Sequence, residues 1–378
     1  MPNNFLIIAS LANSLTGFRK PLIQALLAKG LTVHAAAPEL LSNERVKSEL
    51  EGMGVILHDI PMARTGMNPL LDIKTLWVLY RLMRQIKPHY AMGYTIKPVV
   101  YGGLAAWCAR VPKRFALITG LGYAFVDDGS RKQQVINAIA SRLYKHSLSH
   151  AHAVFFQNPD DEALFKQLGI LRSSANSVVV NGSGVGIDEY PFTPIAENAV
   201  PHFLLIARLI ADKGIREYAE AARILKLQYP QVQFSLVGQL DVNPNAITQA
   251  ELDAWVADGR IAHHGYQSDV KPFIAASTVY VLPSFYREGT PRSVLEAMSM
   301  GRAIITTDAP GCRETVVHGE NGFLVPVKNA QALADAMLKF IEQPELAASM
   351  GKRSREIAEE KYDVYKVNAH MLGVMGIE

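Results

Sequence analysis

Cysteine is scarce in this 378-residue chain: Cys108 and Cys312 are its two thiols, far apart and with no further Cys or His at ligand spacing. A disulfide framework and a structural zinc site are not expected, and a reducing cytoplasmic setting suits the composition. Long apolar runs are missing too. Nothing approaches the roughly 18 unbroken apolar residues that a spanning helix needs. The N-terminal "FLIIAS" is short, strand-like and not preceded by basic residues, so a signal peptide is not expected. Charged residues make up 19% of the chain against 49% hydrophobic. That excludes a disordered chain and leaves material for large cores. Neither half opens with G-x-G-x-x-G, and no G-x-x-x-x-G-K-[ST] occurs, which argues against dinucleotide binding and P-loop phosphoryl transfer. The closest approach, "GSGVG" at 182–186, leads into a polar stretch and not a helix.

What is present is a repeated alternation. The strand patterns "FLIIAS", "TVHAAAP", "VILHDI", "RFALIT" and "AVFFQN" are separated by helical ones, among them the long amphipathic "NPLLDIKTLWVLYRLMRQIKP". The rhythm breaks at "NGSGVGIDEYPFTPIAENAVP", read as the approach to a linker around residues 187–200. It restarts with "HFLLIAR" and becomes helical after residue 329. Such a pattern implies an α/β fold of two Rossmann-like domains with parallel sheets, an N-terminal one over 1–188 and a C-terminal one over 200–359. The expected binding place is a cleft between the C-terminal edges of their strands. Residues 1–190 carry 20 Lys and Arg against 13 Asp and Glu, whereas 191–378 carry 18 against 22. The first half thus suits an anionic partner, or simply has solvated basic helices.

The stretch "EGTPRSVLE" holds Glu288 and Glu296 around a helix start. Thr290 reads as N-cap and Pro291 as the first helical residue. The N–H groups of Gly289, Arg292 and Ser293 then face the helix N-terminus, where a phosphate fits. Glu296, about 6 Å farther along the axis, can accept from sugar hydroxyls beside it, or is an ordinary solvated residue. In "ARLIADKG", Arg208 and Lys213 leave one strand-to-helix loop, where both can neutralise a diphosphate.

Together, "R-x4-KG", "E-x7-E" and "GRAIITTDAPGCRETVVHGENGFLVP" resemble the C-terminal domain of the family 4 retaining GT-B glycosyltransferases, whose element order the whole chain follows. The resemblance implies a GT-B fold whose C-terminal helix, about 360–378, crosses back to the N-terminal domain. It implies catalytic roles for Arg208, Lys213 and Glu288, and donor binding by Glu296, Gly289, Thr290, Arg292, Ser293 and Tyr266. A nucleotide-sugar donor, no cofactor, no metal ligands and no nucleic-acid partner follow from it as well. "GFRKPLIQAL", "TIKPVVYGGLAAWCARVPKRFALITGLGYAF" and "VFFQNPDD" resemble bacterial N-acetylgalactosaminyltransferases acting on undecaprenyl-diphosphate-linked sugars. This narrower resemblance implies a UDP-sugar donor (HexNAc, GalNAc by preference) and a polyprenyl-diphosphate-linked acceptor in surface-glycan, O-antigen or protein-glycan assembly. It also implies a peripheral place on the anionic cytoplasmic face of the inner membrane.

Arg19, Tyr94, Lys97, Thr119 and Tyr123 are the acceptor-site candidates, joined by Thr95 at a strand end; each reads equally as packing or solvation. Many family members carry a His where this chain has Thr119, and a Thr cannot relay a proton as an imidazole does. His152, His263 and His264 read as structural or exposed. The expected chemistry is transfer with retention, in which a donor diphosphate oxygen serves as base and the two cations stabilise the leaving group. A UDP-sugar 2-epimerase on the same fold is the alternative, and a non-catalytic sugar-binding protein a third.

Overall fold

The computed structural model describes residues 3–63, 66, 68–121, 125, 131–196, 200–241 and 245–378. The chain divides into two compact units, Met1–Ser183 with Tyr365–Glu378, and Gly184–Val364.

The first unit is built on seven strands: β1 (Asn4–Ile8), β2 (Thr32–Ala37), β3 (Ile56–Asp59), β4 (Tyr90–Tyr94), β5 (Lys113–Ile118), β6 (Ala153–Phe156) and β7 (Ser177–Val179). All pairs are parallel, in the order β3-β2-β1-β4-β5-β6-β7. β1 is apolar at every position after Asn4 because both its faces are covered. Phe5 and Ile7 enter one core, Leu6 and Ile8 the other. The strand order reverses between β1 and β4, so the loops leaving them diverge and open a crevice at their C-terminal ends. The last helix, Val364–Met375, supplies Val367, Met371, Leu372 and Met375, followed by Ile377, to the core that holds Phe5 and Ile7. Its four-residue spacing at Val367, Met371 and Met375 keeps them on one face.

The second unit repeats the plan with β8 (His202–Ile206), β9 (Gln233–Val237), β10 (Ala262–His263), β11 (Val279–Leu282), β12 (Ala303–Thr307) and β13 (Gly322–Val325). Their order is β10-β9-β8-β11-β12-β13, again with parallel pairs. The reversal falls between β8 and β11. Within the stretch expected as a linker, Tyr190 joins the core of this unit, and Ser299 Oγ donates to the Tyr190 carbonyl at 2.6 Å. Arg302 is wholly buried at the start of β12 and donates to the carbonyls of Ile274 and Thr193 at 2.8 and 2.9 Å. Burial pulls its pKa down to about 10.

Candidate active site

The strongest cluster of functional groups stands at the C-terminal edge of β8 and β11. β8 ends at Ile206, so Arg208 lies in the loop, past the strand it was expected to close. The loop makes a 3₁₀ turn, Ala211–Lys213, ending at Gly214 with φ +74°. A Cβ on Gly214 would sit 2.1 Å from the Pro283 carbonyl oxygen. Glycine is what lets this turn press against the loop leaving β11. The N–H groups of Phe285 and Tyr286 seal the contact by donating to the Asp212 carbonyl at 2.9 and 3.0 Å.

That apposition brings Lys213 Nζ to 2.5 Å from Glu288 Oε2, with both side chains largely buried. Ser284 Oγ donates to the other oxygen of the same carboxylate at 3.0 Å. Behind the loop, Gly311 has φ +86°, and a Cβ there would fall 2.1 Å from the Gly289 carbonyl oxygen. Arg208 leaves the same loop as Lys213 but stays 43% exposed and reaches Asp241 Oδ2 at 3.0 Å. The two cations therefore share a loop and hold different carboxylates.

The helix that follows spans Arg292–Ser299. Its N-cap is Pro291, extended at φ −69° and ψ 118° with no side-chain cap, which corrects the expectation of a Thr290 cap. Pro291 is itself extended, so the helix begins one residue later than expected and Thr290 stands outside its cap position. The first-turn N–H groups still point out of the helix start beside Gly289, where a negative group is favoured. Glu296 is buried within the helix and takes Arg292 Nε on Oε1 at 2.9 Å. Burial raises its pKa, while the Arg292 guanidinium and the Tyr190 hydroxyl oppose the rise. Ser293 shares a hydrogen bond with Tyr280, whose hydroxyl donates to the Ile206 carbonyl at 3.1 Å. The helix start is thereby tied to the end of β8. Tyr266 follows β10 and is 64% exposed. Its loop is held beside the end of β9 by Gly238 N–H donating to the Gly265 carbonyl at 2.8 Å.

In the first unit the acceptor candidates are more occupied. The Arg19 guanidinium is buried over the Tyr94 ring at 4.9 Å, and Tyr94 shares its hydroxyl with Ser14 at 2.7 Å. Burial pushes the Tyr94 phenol up to about 12. Lys97 binds Asp72 at 2.9 Å, with both side chains nearly buried. Thr119 is half-buried just beyond β5, and Tyr123 lies outside the described residues. The groups that share the β1/β4 edge are Ser10 and Thr95, whose hydroxyls are 2.9 Å apart. Thr95 has φ +67°, a conformation that a β-branched residue adopts only under constraint. Tyr190, Ser284, Asp241 and Ser10 were not singled out from the sequence. Ser10 had a usable signal, being the first hydroxyl after a central strand; the others come from distant segments and had none.

Comparison with known proteins places these features. Residues 188–357 match the family "Glycosyl transferases group 1", and residues 7–158 match "Glycosyl transferase 4-like". The chain is 30% identical over 359 residues, covering 91% of each partner, to the N,N'-diacetylbacillosaminyl-diphospho-undecaprenol alpha-1,3-N-acetylgalactosaminyltransferase of Campylobacter jejuni. The chain belongs to the family 4 glycosyltransferases.

Its likeness to the capsular polysaccharide biosynthesis glycosyltransferase CapM of Staphylococcus aureus is lower, 24% over 348 residues, with 90% of this chain and 88% of CapM covered. Anabaena HepE, solved in complex with UDP, superposes with a TM-score of 0.75 at 20% identity, covering 99% of both chains. The fold is accordingly GT-B, with two Rossmann-like domains. The epimerase alternative finds no support in these relatives.

Proposed function

We propose that this glycosyltransferase moves a HexNAc, by preference GalNAc, from a UDP-sugar to a saccharide on undecaprenyl diphosphate, with retention at the anomeric carbon. The reading is supported above all by the 2.5 Å Lys213–Glu288 pair beside the start of the Arg292–Ser299 helix. An ammonium and a helix N-terminus side by side suit a departing diphosphate. Lys213 and, with a swing away from Asp241, Arg208 neutralise it. Glu296 and Tyr190 offer acceptors to the ribose, and Glu288 lies beside the donor sugar. The choice of GalNAc and a lipid-linked acceptor draws on the Campylobacter relative, whose name carries both. HepE holds UDP on a similar fold.

On the acceptor side, Ser10, Thr95 and Thr119 are the groups best placed to meet a sugar, with Arg19, Tyr94 and Lys97 shaping the edge behind them. The reaction is proposed to need no bound metal, because fixed cations supply the charge that a divalent ion would otherwise bring. Peripheral contact with an anionic membrane follows from a lipid-linked acceptor. UDP release is expected from UDP-GalNAc only when a polyprenyl-diphosphate-linked saccharide is present, and to survive EDTA. Release with no pair of substrates would overturn the reading. Loss with EDTA would overturn its metal-free part.

A further inference from the structure

The helix Pro69–Ile86 in the first unit is about 27 Å long at 1.5 Å per residue. It buries one face through Thr75, Leu79 and Met83. Its opposite face exposes Leu70 (82%), Ile73 (64%), Trp77 (54%) and Tyr80 (36%). At 100° per residue these four share a sector with Lys74, Arg81 and Arg84, all exposed. Arg81 lies 4.8 Å from the centre of the Trp77 ring. The exposed face of the helix carries no carboxylate. Residues 60–126 contain nine Lys and Arg and a single acid, Asp72, which is buried and bound to Lys97. No ion pair is made by Lys74, Arg81, Arg84 or Lys87 among the described residues.

We propose that this face lies on an anionic lipid bilayer, with Leu70, Ile73 and Trp77 entering the interface and Lys74, Arg81, Arg84 and Lys87 meeting phosphate groups. Exposed aliphatic and aromatic side chains interleaved with cations are what an in-plane helix needs: apolar area to insert and charge to bind headgroups. Trp and Tyr favour that depth because one end of each ring system is apolar and the other polar. A second copy of the chain is a poor occupant. A two-fold contact would set these cations against their own copies with no carboxylate between them. The surface lies on rather than through the membrane, as no helix among the described residues is long and apolar enough to cross one. The inference deepens the lipid-linked acceptor reading and rests on it for the identity of the surface.

The test is co-sedimentation of the full chain with vesicles of phosphatidylglycerol and phosphatidylcholine, or of phosphatidylcholine alone. Wild type is expected to bind the anionic vesicles and to be released by salt. Each cation near such a surface contributes about fivefold in partitioning, so K74Q/R81Q/R84Q should weaken binding roughly 100-fold. L70S/I73S/W77S should weaken it at least about tenfold. Both variants should keep the wild-type Tm and full turnover of a short-chain, water-soluble prenyl-diphosphate-sugar acceptor, which needs no vesicle. Wild type that stays in the supernatant, variants that bind like wild type, or a dimer that L70S/I73S/W77S dissociates would each overturn the proposal. Turnover of the short-chain acceptor without vesicle binding sinks the docking face alone. Vesicle binding through this face without turnover of any acceptor sinks the acceptor reading alone.

Discussion

Lys213 shows how much a single side chain depends on its setting. Its ammonium is largely buried against Glu288 and Tyr286, so its removal takes the cation away from a largely buried carboxylate. Lys213→Ala is expected to lower kcat by roughly 10²-fold or more while the protein stays folded, as steady-state UDP release together with a thermal melt will show. Near-normal turnover would remove Lys213 from the leaving-group role. The residue was legible in "ARLIADKG" because a basic residue in a strand-to-helix loop must lie at the sheet's C-terminal edge. Its pairing with Glu288, 75 positions away, was not, since no local pattern encodes a contact across two loops. Arg19 and Tyr94 show the reverse: polar types that sequence reading offers to a ligand are spent on each other in the folded unit.

At the level of elements, backbone contacts set the site's shape. Gly311 is pressed against the loop that carries Glu288 and Gly289, with no room for a methyl group. Gly311→Ala also forces a left-handed φ on a residue with a Cβ, costing about 1–3 kcal/mol. A rise in the donor's KM is expected along with the lower Tm. An unchanged KM would show that this loop does not hold the donor.

The paired strands β2 and β3 carry a second device, a stacked imidazole pair with His34 Nδ1 and His58 Nε2 3.0 Å apart. Burial, and then the neighbouring His58, hold His34 down at about 4 against an ordinary 6.5. The unfolded chain takes up its proton near 6.5 while the folded chain does not. The stability of the neutral pair is therefore full above pH 6.5 and is lost as pH falls through 4. His34→Gln should flatten that acid limb, which urea melts at pH 7.5, 5.5 and 4.5 will reveal. An acid limb identical to that of wild type would mean other groups drive it.

For the whole molecule, the division into two cores makes stability two quantities where a single-domain protein has one. The tail that ends the chain belongs to the core of the first unit through Met371, Leu372 and Met375. Met371→Ala should cost the first unit about 2–5 kcal/mol. The second unit, with its own core, should keep its transition. UDP at 100 times its Kd should raise the second unit's stability by about 2.7 kcal/mol. Calorimetry of the variant with and without UDP separates the two, and a single transition moving as one would contradict independent cores.

By itself the sequence determined the periodic elements, the parallel sheets, the loops that carry Arg208, Lys213 and Glu288, and the helix that carries Glu296. Each of those follows from local spacing: apolar runs make buried strands, and a strand followed by a helix places its loop at one sheet edge. Tertiary structure alone decided which charges pair, that Thr290 does not cap its helix, that Tyr190 is packed into a core, and which face of the Pro69–Ile86 helix is left bare. These depend on contacts between segments far apart in the chain, whose close approach is set by packing and backbone hydrogen bonding that no single stretch contains.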